Sequence, residues 1–75
     1  MRRANYPYNN KRYLWNKNTN ELHDLDNEKL ECRINEIKTD HIKMFDYISD
    51  AKTYITSQGY KFNGCYWCLR DYHIY

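Results

Sequence analysis

Apolar residues fall along this chain in short bursts whose period changes. Tyr13, Leu14 and Trp15 follow Lys11 and Arg12, a cluster of β-formers that predicts a short strand over residues 11–15. Residues 16–20 are Asn, Lys, Asn, Thr and Asn, side chains that tolerate a left-handed backbone, and they predict a turn. Leu22 alternates against His23, so residues 21–25 are expected to return as the second strand of a hairpin. Leu30, Ile34 and Ile37 recur at helical spacing and predict a short helical turn around or just after Cys32. Residues 41–45 predict a third strand. Ile48, Ala51 and Ile55 then mark one face of a helix near residues 47–58, with Asp46 as its cap and Gly59 as the residue that stops it. Asn63 and Gly64 predict a turn leading into Cys65. The sum is a small α+β domain with a hairpin, a third strand, one main helix and a C-terminal knuckle.

Length limits how far packing alone can hold such a domain. Leu, Ile and Phe fill only 13 of 75 positions and Val is absent. A chain of this size buries about 60% of the surface its unfolded form exposes, and it usually needs a disulfide, a metal or a partner. Thirteen aromatic residues argue for a folded unit with a small aromatic core rather than disorder. No apolar run approaches the length of a membrane span, and no apolar stretch follows Arg2 and Arg3, so neither a span nor a secretory signal is expected. A cytoplasmic location is the matching expectation. Asn, Lys, Tyr and Ile together fill 31 positions, a bias suggestive of an AT-rich genome such as that of a phage.

The net charge of +2 conceals a split. Residues 1–20 carry five basic groups and no acid, whereas residues 21–36 carry a net −4. Residues 1–10 therefore read as a basic arm ahead of a single domain at 11–75. Arg2, Arg3, Lys11, Arg12 and Lys17, with Tyr6, Tyr8, Tyr13 and Trp15 among them, can touch phosphates and stack on bases. The plainer alternative is a solvated tail.

Cysteine usage carries the most chemistry. Cys32, Cys65 and Cys68 are an odd number, a poor disulfide framework. Cys65 and Cys68 stand at the C-x2-C spacing with which one tight turn offers two thiolates to a tetrahedral ion. Cys32 supplies a third sulfur. A histidine would complete a zinc set, and His23, His41 and His73 are the candidates. His73 can close the site by local reach alone; His41 opens a strand. A redox pair is the rival reading of C-x2-C, but no helix-length segment follows Cys68. Asp24 beside His23 is either a second partner of the imidazole or a solvated hairpin residue.

The order Trp15 to Thr19, His23, Cys32, Phe45, Ala51, Gly59, Tyr60, Cys65 and Cys68 resembles the small bacterial domains related to the N-terminal zinc domain of the Ada DNA-repair protein. The likeness covers residues 11–69. It implies zinc held by His23, Cys32, Cys65 and Cys68. Loops 24–31 and 61–64 are longer than is usual in that family. In the Ada domain a zinc-bound thiolate accepts a methyl group from damaged DNA, so Cys32 or Cys68 would be the acceptor by the same resemblance. Three thiolates and one neutral imidazole leave the site at net −1 rather than −2, a weaker nucleophile.

No P-loop, glycine-rich phosphate cradle, G-x-S-x-G or deaminase motif accompanies the cysteines, and an enzyme is not expected. Two binding functions remain. Tyr66 and Trp67 within the knuckle, Tyr72 and Tyr75 beyond it, and Arg2, Arg3 and Arg12 suit either a protein partner or unpaired nucleic acid. The weak net charge favours a protein, for instance a host protein inhibited by a phage accessory factor. Nucleic-acid binding through the basic arm is the alternative.

Overall fold

The computed structural model describes residues 2–74. Three strands, β1 (Tyr13–Asn16), β2 (Glu21–Asp24) and β3 (Ile42–Phe45), form one antiparallel sheet in the order β2-β1-β3. One α-helix, α1 (Ile48–Ser57), follows β3. The fold is α+β. Among the described residues no helix is long and apolar enough to cross a membrane.

The hairpin owes its turn to asparagines. Asn20 takes a left-handed backbone with φ 56°, and the Asn16 Oδ1 accepts the Asn18 backbone N–H at 2.9 Å. Asn20 also reaches inward: its Oδ1 accepts the Trp15 indole N–H at 3.1 Å while its Nδ2 donates to the Lys61 carbonyl at 2.8 Å. The turn thereby fastens the largest core side chain to the segment that leads into the knuckle.

Side-chain alternation sends the sheet's residues to two different cores. On one face Tyr13, Trp15, Leu22 and Phe45 pack with Ala51 and Ile55 of α1 and with Leu69. On the other Leu14 and Met44 pack with Leu25, Ile34 and the three cysteines. His23, paired with Leu14 across the hairpin, shares that second face and is 3% exposed.

Two local expectations need correction. Asp46 does not cap α1; Tyr47 holds the capping position in extended backbone and offers no side-chain bond, so Asp46 stands one residue too early. Asn63 and Gly64 make no turn. They run beside β2, where Leu22 donates to the Asn63 carbonyl at 2.9 Å and Cys65 donates to the Leu22 carbonyl at 2.8 Å. Gly64 is needed for close approach: a Cβ there would lie 2.5 Å from the Leu69 carbonyl oxygen and 2.8 Å from the Tyr72 Cβ. The short helical turn expected around or just after Cys32 takes 3-10 form, at Leu30–Cys32 and Ile34–Glu36, and the stretch between β2 and β3 holds two further 3-10 turns, at Leu25–Asn27 and Thr39–His41. Gly59 does stop α1. It has φ 87°, its N–H reaches the Thr56 carbonyl, and Tyr60 N–H reaches Ile55, the pair of bonds that closes a Schellman end.

A candidate metal centre

Four side chains from three parts of the chain meet on the second face. β2 delivers His23, the 3-10 turn Leu30–Cys32 delivers Cys32, and the turn after Gly64 delivers Cys65 and Cys68. Arg33 makes the second delivery possible. Its φ of 52° breaks the backbone between two 3-10 turns immediately after Cys32, a conformation that an arginine adopts only at a cost of about 1–2 kcal/mol.

The four ligand atoms lie within 4.8 Å of one another and all four residues are buried. Cys32 Sγ stands 3.7 Å from Cys65 Sγ, and Cys68 Sγ stands 3.7 Å from His23 Nδ1. All three cysteines are free. A tetrahedral zinc with sulfur at about 2.3 Å and nitrogen at about 2.0–2.1 Å has edges of about 3.6–3.8 Å, so both spacings match a shared ion. Three sulfurs and one imidazole are also the donor chemistry that selects such an ion.

Backbone donors surround the sulfurs. The Asp24 N–H donates to Cys68 Sγ at 3.2 Å, and the Trp67 N–H donates to Cys65 Sγ at 3.4 Å. Ionisation is shared unequally. Cys65 is pulled down to about 3, chiefly by the hydrogen bond from Cys68 and then by His23. Cys68 is pushed far up, first by that same bond and then by burial, and burial also pushes Cys32 up. Burial and the shared bond thus favour the thiol form at Cys32 and Cys68 and the thiolate form at Cys65, and a bound cation would displace protons from the raised pair.

The other two histidines lie elsewhere. His73 Nδ1 is 3.1 Å from the Gly64 carbonyl oxygen and its ring meets Tyr66 edge-on, while His41 is half-buried on a neighbouring cleft. Asp24 is neither solvated nor bound to the imidazole. It is buried, and its carboxylate holds the Arg12 guanidinium in a two-pronged pair at 2.9 and 3.0 Å. Only its backbone touches the centre.

The basic arm turns back onto the domain. Arg2 pairs with Asp26 and Arg3 pairs with Glu28, each through two bonds at 2.9 Å, and Tyr8 packs against the metal-side core. Those bonds raise Arg2 and Arg3 and hold the Asp26 and Glu28 carboxyls below the usual carboxylate range. The knuckle aromatics remain outside: Tyr66, Trp67 and Tyr72 are 39, 48 and 42% exposed. Tyr66 meets Trp67 edge-on at 5.0 Å with Arg70 stacked over it at 4.6 Å. Tyr75 lies outside the described residues.

Two cavities adjoin the centre. One of about 550 Å3 has His23 and Cys32 in its wall, and one of about 330 Å3 has Cys68. Sequence reasoning missed the cleft and the role of Arg33, since nothing in the residue type of an arginine announces a left-handed backbone. In comparisons with known proteins, no family model, no curated protein and no solved structure matches this chain.

Proposed function

We propose that this chain is a small non-enzymatic binding domain, held together by one zinc ion on His23, Cys32, Cys65 and Cys68, and that its partner is another protein. The observation that carries the reading is the convergence of four buried ligand atoms within 4.8 Å. With protein side chains at all four tetrahedral positions, the ion joins β2, the 3-10 segment and the knuckle, and its binding energy becomes folding energy. Kinship with the Ada zinc domain belongs to the same proposal and is supported by the order His23, Cys32, Gly59, Tyr60, Cys65 and Cys68. Methyl acceptance is disfavoured, at Cys68 because the Asp24 backbone N–H on its sulfur spreads the charge and dulls its nucleophilicity, and at Cys32 because a site of net −1 makes a weaker nucleophile.

A protein partner is favoured over nucleic acid by what surrounds the knuckle. Tyr66 and Trp67 are exposed on the turn between Cys65 and Cys68 and Tyr72 on the 3-10 turn Arg70–Tyr72 that follows, and Tyr and Trp are preferred anchors at protein interfaces. Arg2, Arg3 and Arg12 are already committed to carboxylates, which removes much of the phosphate-binding capacity of the arm.

Metal analysis of protein purified anaerobically without added zinc tests the centre: one equivalent is expected in the wild type and in His73→Ala, and a deficit in His23→Ala. A stoichiometry near zero in the wild type overturns it. A binding screen at two salt concentrations tests the partner class. Tight oligonucleotide binding that falls steeply with salt and vanishes when residues 1–12 are removed would replace the protein reading with the nucleic-acid one.

A further inference from the structure

The two cavities beside the cluster offer an incoming ion different things. Two of the four ligands, His23 and Cys32, line the larger cleft together with Glu21, Glu36 and His41. Among the described residues those three side chains make no ion pair or hydrogen bond, so their oxygen and nitrogen donors are uncommitted. Of the four ligands, Cys68 alone lines the smaller cavity. Its charges cancel, Arg12 and Arg70 against Asp24 and Asp71, but Arg12 occupies the Asp24 carboxylate, so among the described residues Asp71 is the one uncommitted carboxylate there against two in the larger cleft. Cys65 lines neither.

A hydrated divalent cation sheds its waters stepwise, and each water lost must be replaced by a donor on the way in. We propose that the larger cleft is the route by which the metal ion reaches and leaves the centre, with Glu21, Glu36 and His41 as transient outer ligands that pass it to Cys32 and His23. The inference rests on the metal reading above and adds to it that the ion exchanges while the domain stays folded. Arg33 and Lys38 line the same cleft, so Glu21 and Glu36 bring its charge to zero. Without the two carboxylates the cleft stands at +2 and repels the ion it must admit.

Stopped-flow cobalt exchange on the full chain tests this. Displacement of cobalt by excess zinc from the loaded, folded chain would be followed by the loss of the absorption of the tetrahedral thiolate complex. In the Glu21→Gln/Glu36→Gln double variant, displacement is expected to slow by about tenfold, the lower end of what charged clefts contribute to encounter rates. The cobalt spectrum and the equilibrium affinity should stay within threefold of wild type, since neither residue is a ligand in the bound state; a merely structural role would move both. His41→Ala should slow exchange to a smaller degree, and Asp71→Asn, on the smaller cavity, should not. Wild-type exchange rates in the double variant overturn the route, as does slowing in Asp71→Asn alone. A wild-type chain that takes up no cobalt brings down the metal reading itself, a result distinct from either.

Discussion

The two faces of the sheet are held by different physics. On the helix face Trp15, Leu22, Ala51 and Ile55 are essentially excluded from solvent, and Trp15 meets Tyr54 and Tyr60 edge-on at 6.0 and 5.3 Å. That core consists of regular elements and aromatic packing, and each side chain contributes its own increment. On the opposite face Leu14, Leu25, Ile34 and Met44 are the buried aliphatic and thioether side chains, and the rest of the layer is three thiols and an imidazole supplied largely by irregular chain. Removing water from those polar groups is costly unless an ion repays it. One face is thus a core made by packing, and the other carries four buried side chains able to hold a metal ion.

The contrast breaks most decisively on the coordination side. Chelation, or Cys65→Ser, is expected to abolish the cooperative thermal transition, because structural zinc contributes on the order of 10 kcal/mol, more than a domain of this size has in reserve. Circular dichroism melts with and without chelator would check it; a chelated protein that keeps its transition would mean that the helix-face core stands alone. The packing side should respond by degrees. Ile55→Ala is expected to cost roughly 2–5 kcal/mol and to lower the melting temperature of the metal-loaded protein while it still binds one equivalent of metal.

Proton linkage sharpens the comparison further. Cys32 and Cys68 are raised and Cys65 is lowered, so two thiols must ionise on binding. Metal affinity should therefore climb with pH across the neutral range, by about two log units per pH unit at its steepest, and fall as acid reprotonates the sulfurs. Competition titrations at three pH values would read the slope, and a flat profile would contradict the proton inventory. Gly59→Ala acts on the helix face alone, with an expected loss of about 1 kcal/mol from the strained left-handed stop, measured by denaturant melts.

The smallest effect belongs to the arm. The Glu28 carboxyl is held below its usual range by Arg3, so that pair stabilises fully at neutral pH and is lost as pH falls through the lowered value. Asp26 behaves likewise beside Arg2. Proteolysis in residues 1–10 should quicken in mild acid or high salt before the core melts.

Regular structure was the legible part of this chain. Strand formers around Trp15, the asparagine turn and the Ile48–Ala51–Ile55 face forecast three strands and a helix because local propensity and burial agree there. The C-x2-C pair and Cys32 likewise pointed to a group that could hold a metal, and the family resemblance singled out the histidine that the structure brings to them. Residues 25–41 were legible only as a short helical turn near Cys32. Leu30 sits in the helical pattern yet is 95% exposed, while Ile34 is buried. Their backbone is shaped by the need to carry Cys32 to partners 33 and 36 residues further on, and Arg33 bends against its own preference to do so. Tertiary demand overrides periodicity there. Gly64 misled for a related reason: it answers a crowding between Leu69 and Tyr72 that only the folded chain contains.

Arg2, Arg3 and Arg12 reach back to Asp26, Glu28 and Asp24, so positive and negative stretches that are separate along the chain become superimposed in space. At a distance such a molecule presents little electric dipole from its two oppositely charged stretches. A charged partner approaching from beyond about 8 Å, the screening length at physiological salt, would feel little torque to orient it. Encounters should then proceed at the unsteered rate of about 10^5–10^6 per molar per second, with selectivity left to the surfaces that finally touch.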